Sequence, residues 1–201
     1  MVRTIGFYQV LLFSLACYAP LEPAKLQDGD LIFQTSTSRQ SLAIQLATNS
    51  PYSHMGIIYR KNGRLFVFEA VGPVKLTPLS QWIKRGQNQA YVVKRLKKPL
   101  VKSQLKRMKR LASKYIGKPY DIYFGWSDKR IYCSELVWKL YKEAADIEIG
   151  SLRKLKDFDL EHPAVKKIMR TRYGKKVPLN EPVIAPSDMF ESEKLATIST
   201  G

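Results

Sequence analysis

With 201 residues, 34 basic against 17 acidic side chains and a formal charge of +17, the chain is long enough to bury a core and short enough for a single domain. A composition of 45% hydrophobic, 25% charged and 11% aromatic residues excludes a disordered chain, a collagen-like repeat and a polytopic membrane protein. Two cysteines and two histidines exclude a disulfide framework and supply too few soft ligands for most zinc sites, so neither a metal nor a cofactor is expected.

Residues 1–19 have the layout of a secretory signal peptide: Arg3, an apolar run from Val10 to Ala16, then small residues at Ala16 and Ala19. The run is too short to span a bilayer, which takes about 20 residues. Cleavage after Ala19 leaves one domain over 20–201, although Pro20 directly behind that site is unfavourable. Cleavage after Ala16 places Cys17 first, and Leu15-Ala16-Cys17 loosely resembles a lipoprotein processing site, with Ser14 where that motif prefers Leu. Both readings predict an exported, periplasmic or envelope-associated protein and leave lipidation of Cys17 open. The mature chain then keeps one cysteine, Cys133. A lone thiol in an oxidising compartment is either a small buried hydrophobe or a group kept for its chemistry, and the cysteine count leaves both open.

Asp28-Gly29-Asp30 forms a turn leading into a short buried strand, Leu31-Ile32-Phe33-Gln34, and Ser38 to Thr48 reads as a short helix stopped by Asn49-Ser50-Pro51. The clearest local signal follows. His54–Tyr59 and Leu65–Ala70 are β-rich runs flanking Asn62-Gly63, the mark of a two-residue type I′ hairpin. With that turn, paired residue numbers sum to 125, so Glu69 faces Gly56 and His54 sits two residues along on the same face. Diagonal cross-strand neighbours lie about 7–8 Å apart, and Gly56 has no side chain to separate them. The hairpin thus sets an imidazole beside a carboxylate.

No acidic residue stands between Glu69 and Asp121, while Lys75 to Lys118 contributes fourteen basic ones. Within this stretch Leu105, Met108, Leu111, Ala112 and Tyr115 recur at helical spacing, predicting an amphipathic helix over 102–115 with a basic exposed side, ended by Gly117-Lys118-Pro119. A further helix opens at Tyr132-Cys133-Ser134-Glu135, with Leu136, Val137, Leu140, Tyr141 and Ala144 as its apolar stripe and Ser127 or Asp128 closing the loop before it. Residues 154–173 are helix-prone but interrupted by Pro163. The segment from Pro178 to Gly201, with Pro178, Pro182 and Pro186, reads as extended and surface-laid. Strands and helices segregate, which predicts an α+β fold with a small antiparallel sheet.

A cysteine at a helix start meets unpaired N–H groups and the positive end of the helix dipole, both of which favour its thiolate. A thiolate nucleophile needs an imidazole, and the imidazole an orienting group. Cys133, His54 and Glu69 supply one of each if the helix start meets the hairpin. Each has an ordinary alternative: a packed cysteine, a structural histidine, a glutamate paired with one of the many lysines. His162, ahead of Pro163 in a charged stretch, reads as a solvated loop residue.

The order Gly29-Asp30-Leu31-Ile32-Phe33, Tyr52-Ser53-His54-Met55-Gly56, Phe68-Glu69-Ala70, Gly117-Lys118-Pro119-Tyr120-Asp121 and Tyr132-Cys133-Ser134-Glu135-Leu136 resembles the YiiX-like family of circularly permuted papain-like (NlpC-type) cysteine hydrolases. The motifs cover residues 29–136. In that family the histidine strand precedes the nucleophile, as here. The resemblance implies Cys133 as nucleophile, His54 as general base, Glu69 as third member and a small antiparallel sheet against helices. It also implies acyl-enzyme chemistry shared by cell-wall peptide amidases and lipid-directed acyltransferases. The oxyanion hole needs the Cys133 amide and a second donor, for which Tyr120 and Tyr132 are candidates, though each suits an ordinary core position equally.

The expected substrate is an amide or ester of the cell envelope, a lipid acyl or N-acyl group ahead of a wall peptide. Ile57, Phe66, Val71 and Trp126 suit an acyl pocket, and equally a core. A non-catalytic basic envelope-binding protein is the competing class. The dispersed lysines carry no nucleic-acid signature, so the basic surface is expected to face anionic phospholipid or acidic wall polymer. Nothing in the sequence sets the oligomeric state.

Overall fold

A computed structural model describes residues 25–201; the expected signal peptide over 1–19 and Cys17 lie outside the described residues. Six strands form one antiparallel sheet, ordered β4-β3-β2-β1-β5-β8. They are β1 (Leu31–Gln34), β2 (His54–Lys61), β3 (Arg64–Ala70), β4 (Val74–Pro78), β5 (Val92–Leu96) and β8 (Leu195–Thr200). A small two-stranded sheet pairs β6 (Arg153–Lys154) with β7 (Pro182–Val183). The helices are α1 (Ser41–Thr48), α2 (Leu79–Lys84), α3 (Lys102–Ser113), α4 (Cys133–Ala145), α5 (Pro163–Tyr173) and α6 (Pro186–Phe190).

The hairpin register is the expected one: Ile57 pairs with Phe68 and Lys61 with Arg64, numbers summing to 125. Asn62 and Gly63 both take positive φ, 51° and 74°, as a type I′ turn requires. Both faces of the central strands are covered. Met55, Ile57, Tyr59 and Phe68 face a large core shared with Leu136, Val137, Leu140 and Tyr141 of α4. Ile32, Ile58, Val67 and Val93 face a second core with Trp82 of α2. Burial on both sides is why β1 is apolar at three successive positions rather than alternating.

The basic amphipathic helix is α3, which buries Met108, Leu111 and Ala112 against α4. Two expectations need correction, and one stretch is unassigned by the sequence. Residues 71–101 contain β4, α2 and β5, none of which the basic composition suggested. Pro163 starts a helix rather than interrupting one: it is the first residue of α5, where its missing N–H is no loss. His162 caps that helix, its Nδ1 accepting from Ala164 N at 3.2 Å. Residues 178–201 are not surface-laid. Ile184, Met189 and Leu195 are buried, Pro186 opens α6, and β8 closes the sheet edge beside β5. Apolar residues between the prolines outweigh the prolines' extended bias.

Candidate active site

The site forms at one end of the sheet, where the first turn of α4 meets the start of β2. Cys133 is the first residue of α4. The helix start is fixed by Glu135, whose Oε2 accepts from Tyr132 N at 3.3 Å, and by the Lys139–Glu135 ion pair at 2.7 Å. Packing of α4 on β2 and β3 brings the sulfur to the hairpin.

His54 and Glu69 meet as the register requires. His54 Nε2 and Glu69 Oε2 are 2.6 Å apart, and the carboxylate is fully buried. The imidazole also meets Cys133, whose hydrogen-bonding and charge both act on it. The remaining carboxylate oxygen, Oε1, accepts from Thr77 Oγ1 at 2.5 Å and from Arg85. Trp82 stacks beside His54, centroids 6.0 Å apart and planes 27° from parallel. Gly56 permits the arrangement: a Cβ there would lie 3.4 Å from Glu69 Cβ, 2.8 Å from Phe68 O and 2.4 Å from Val67 Cγ1.

The electrostatics favour an ion pair. Burial pushes the Cys133 thiol up, but the hydrogen bond and charge of His54, with the N–H groups of Met55 and Ser134, outweigh it and leave the thiol below its ordinary value. Burial alone lowers the His54 pKa; Cys133 and Glu69 overcome this and push it up to about 9. For Glu69 burial raises the carboxyl, and the bonds from His54 and Thr77 with the Arg85 charge bring it below the usual range.

Tyr120 reaches the same sulfur. Its position is set by a bridge to Ile131, and its hydroxyl accepts from Gln40 Nε2 at 3.0 Å while bonding to Cys133. Gln40 Oε1 is in turn held by Arg172 at 2.7 Å. Burial and the Cys133 charge raise the Tyr120 pKa well above 10, so the phenol stays a proton donor. Tyr132 is placed differently: its hydroxyl accepts from Ile184 N at 3.2 Å, fastening residues 183–186 to the start of α4. Thr77, Arg85 and Gln40 were not foreseen; they come from β4 and from residues beside α1 and α2, without any spacing that links them to the motifs.

Cys133 opens into a cleft with about 680 Å³ of empty space. Its walls are Ala43, Ile44 and Ala47 of α1, Phe158, Ile168 and Met169 from the α5 side, and Val183 and Ile184. The surface it exposes is nearly all apolar, although Gln40, Thr48 and Arg172 also line it. Of the residues first considered for an acyl pocket, Ile57, Phe66, Val71 and Trp126 are not in this cleft; Ile57 belongs to the core.

An antiparallel sheet carrying a histidine–carboxylate pair against a helix that begins with cysteine is the papain-like architecture, here with the histidine strand ahead of the nucleophile helix in the chain. Residues 25–199 match the family of permuted papain-like amidases that includes YaeF and YiiX, and the chain belongs to that family. It is 47% identical over 191 residues to the uncharacterized protein YiiX of Escherichia coli K12, covering 95% of both chains. It also matches the crystal structure of YiiX from Escherichia coli O157:H7, described as a metalloprotein, with TM-score 0.84 and 49% identity over 87% of this chain and 97% of that one. Among the described residues here, no three His, Cys, Asp or Glu side chains are grouped to hold a metal ion.

Proposed function

We propose that the protein is an exported cysteine hydrolase that cleaves an amide or ester bond of an envelope substrate through Cys133, His54 and Glu69, with a lipid acyl or N-acyl group as the acyl half. The thiolate of Cys133 attacks the carbonyl carbon, and the imidazolium of His54 protonates the departing amine or alcohol, leaving a thioester. Water, activated by His54, then releases the acid and restores the thiol. Glu69 keeps the imidazole oriented and stabilises its charged form. The Cys133 amide, in the first helical turn where no intrahelical acceptor exists, and the Tyr120 hydroxyl face the developing oxyanion.

The observation that carries the acyl preference is the apolar cleft ending at Cys133. A wall peptide presents charged and amide groups that this lining leaves unpaired. The basic exposed side of α3 supports approach to an anionic membrane surface. Among the described residues no helix is long and apolar enough to cross a membrane.

The test is intact-mass detection of a thioester on Cys133 after exposure to p-nitrophenyl esters of increasing acyl length. Adduct formation that accelerates from acetyl to octanoyl and vanishes in Cys133→Ala is the expected result. Turnover of muropeptides with indifference to acyl length would favour a cell-wall peptide amidase, and no adduct from any donor would favour the non-catalytic envelope-binding protein.

A further inference from the structure

The hydroxyl of Tyr120 has one proton, and the direction of that proton decides whether the residue can assist the reaction. A phenol oxygen both donates and accepts, and its O–H is free to rotate. Its neighbour Gln40 carries a similar ambiguity. The amide presents an acceptor on one side and a donor on the other, and turning it over exchanges them.

Arg172 resolves both. A guanidinium has donors only, and Arg172 lies 2.7 Å from Gln40 Oε1. The amide oxygen therefore faces the arginine, which leaves Nε2, a donor only, 3.0 Å from the Tyr120 hydroxyl. The phenol oxygen has to accept that bond. Its own proton is excluded from the Gln40 side and goes to the other group that hydrogen-bonds it, the Cys133 sulfur. When the thiolate electron pair forms the C–S bond, the carbonyl π pair moves onto oxygen, and an O–H already aimed at the sulfur is close at hand to stabilise it. Tyr120 keeps its proton throughout.

The walls of the cleft hold this chain in place. Gln40 is the residue that caps the start of α1, and Arg172 stands in the last turn of α5, its guanidinium 5.3 Å from the centre of the Phe124 ring. The two helices pack on each other, and Ala43 and Ala47 of one face the same space as Ile168 and Met169 of the other.

We propose that Gln40 and Arg172 are positioning residues for the cysteine chemistry. Arg172 sets the orientation of the Gln40 amide, and that amide directs the Tyr120 proton to the reacting centre. The proposal rests on the acyl-enzyme reading above and adds to it two residues that act through Tyr120.

Gln40→Glu tests the chain, because a carboxylate keeps the size of the amide and its bond to Arg172 but offers Tyr120 an acceptor in place of a donor. The phenol proton then turns away from the sulfur. The rate is read from single-turnover release of p-nitrophenol from p-nitrophenyl acetate, whose short acyl group makes little use of the cleft, and intact mass counts the sites that acylate. The expected result is an acylation rate lower by about tenfold, the weight of one hydrogen bond, at an unchanged half-saturating concentration and a near wild-type Tm. Tyr120→Phe supplies the comparison, since no proton remains there to be aimed. Adding Gln40→Glu to that variant changes the rate by less than about twofold. The uncharged Gln40→Met, and Arg172→Met, which frees the amide to turn over, each lower the rate several-fold, again only where the hydroxyl is present. Wild-type acylation in Gln40→Glu, or equal falls with and without the Tyr120 hydroxyl, overturns the proposal, since added charge or a displaced wall would act in both backgrounds. A fall in Arg172→Met that persists in Tyr120→Phe removes Arg172 from the chain. Absence of both p-nitrophenol burst and adduct in the wild type overturns the hydrolase reading and this proposal with it.

Discussion

Replacing Gly56 by alanine places a methyl group 2.8 Å from the backbone oxygen of Phe68 and 2.4 Å from Val67 Cγ1. The valine can turn; the carbonyl belongs to β3 and moves only with the strand. Opening a packed hairpin to accept one methyl costs about 1–3 kcal/mol, which for a domain of this size lowers Tm by roughly 3–10 °C. The same methyl lies 3.4 Å from Glu69 Cβ, so the displacement draws the carboxylate away from His54. The imidazole then loses a counter-charge that helps hold its pKa up at about 9. A reactive thiolate beside an imidazolium exists above the Cys133 pKa and below that of His54. The alkaline limit of the enhanced thiol reactivity therefore moves down from about pH 9 toward the ordinary histidine value. Thermal unfolding and the pH profile of iodoacetamide labelling measure the two effects. Gly63→Ala is the control: Gly63 sits at φ 74°, and a Cβ added there would meet nothing within 4 Å. That substitution costs about 1–2 kcal/mol of backbone strain and leaves the pH limit unchanged. An unaltered limit in Gly56→Ala, or the same shift in Gly63→Ala, would refute the local argument.

Cys133→Ala forms no thioester with any donor yet unfolds at nearly the wild-type temperature; wild-type turnover in this variant would remove Cys133 from the mechanism. Glu69→Gln lowers the acylation rate by roughly 10- to 100-fold and shifts the alkaline limit downward, since an amide neither orients nor charges His54 as a carboxylate does; an unchanged profile would place the orienting group elsewhere. Tyr120→Phe lowers kcat by about 10²-fold with little change in KM, the signature of a lost oxyanion donor, and an effect confined to KM would contradict that role. Ala47→Phe fills the cleft and abolishes the preference for long acyl chains while acetyl esters still react; retained chain-length dependence would move the acyl site. Binding to anionic vesicles weakens as salt rises and is lost when Lys106, Arg107, Arg110 and Lys114 are replaced by Glu; salt-independent binding would exclude electrostatic docking.

The hairpin was legible because Asn62-Gly63 fixes a register, and a register fixes which side chains meet. The start of α4 was legible because its apolar stripe begins directly after Cys133. What the sequence concealed depends on tertiary placement. Thr77 and Arg85 reach Glu69 from a strand and from the end of a six-residue helix, elements too short to show periodicity against a basic background. Gln34 looked like the end of a buried strand, and only the β1–β2 pairing places it beside His54. The cleft was hidden for a related reason. Its walls are drawn from α1, α5 and residues 183–186, so no contiguous stretch carries its apolar character, and the prolines around Ile184 suggested exposure instead.

The fastening of residues 183–186 to α4 has a consequence for the order in which the molecule is made. Ile184 accepts from Ser134 Oγ at 2.7 Å and donates to the Tyr132 hydroxyl, flanking the nucleophile from both neighbours. Cys133 is synthesised about fifty residues before this clasp, so a nascent chain carries its thiol without the wall that shields it. A chain interrupted before residue 183 keeps the histidine, glutamate and cysteine yet has an unroofed cleft. The last segment to emerge therefore completes the wall beside a nucleophile whose triad partners are already present in the chain.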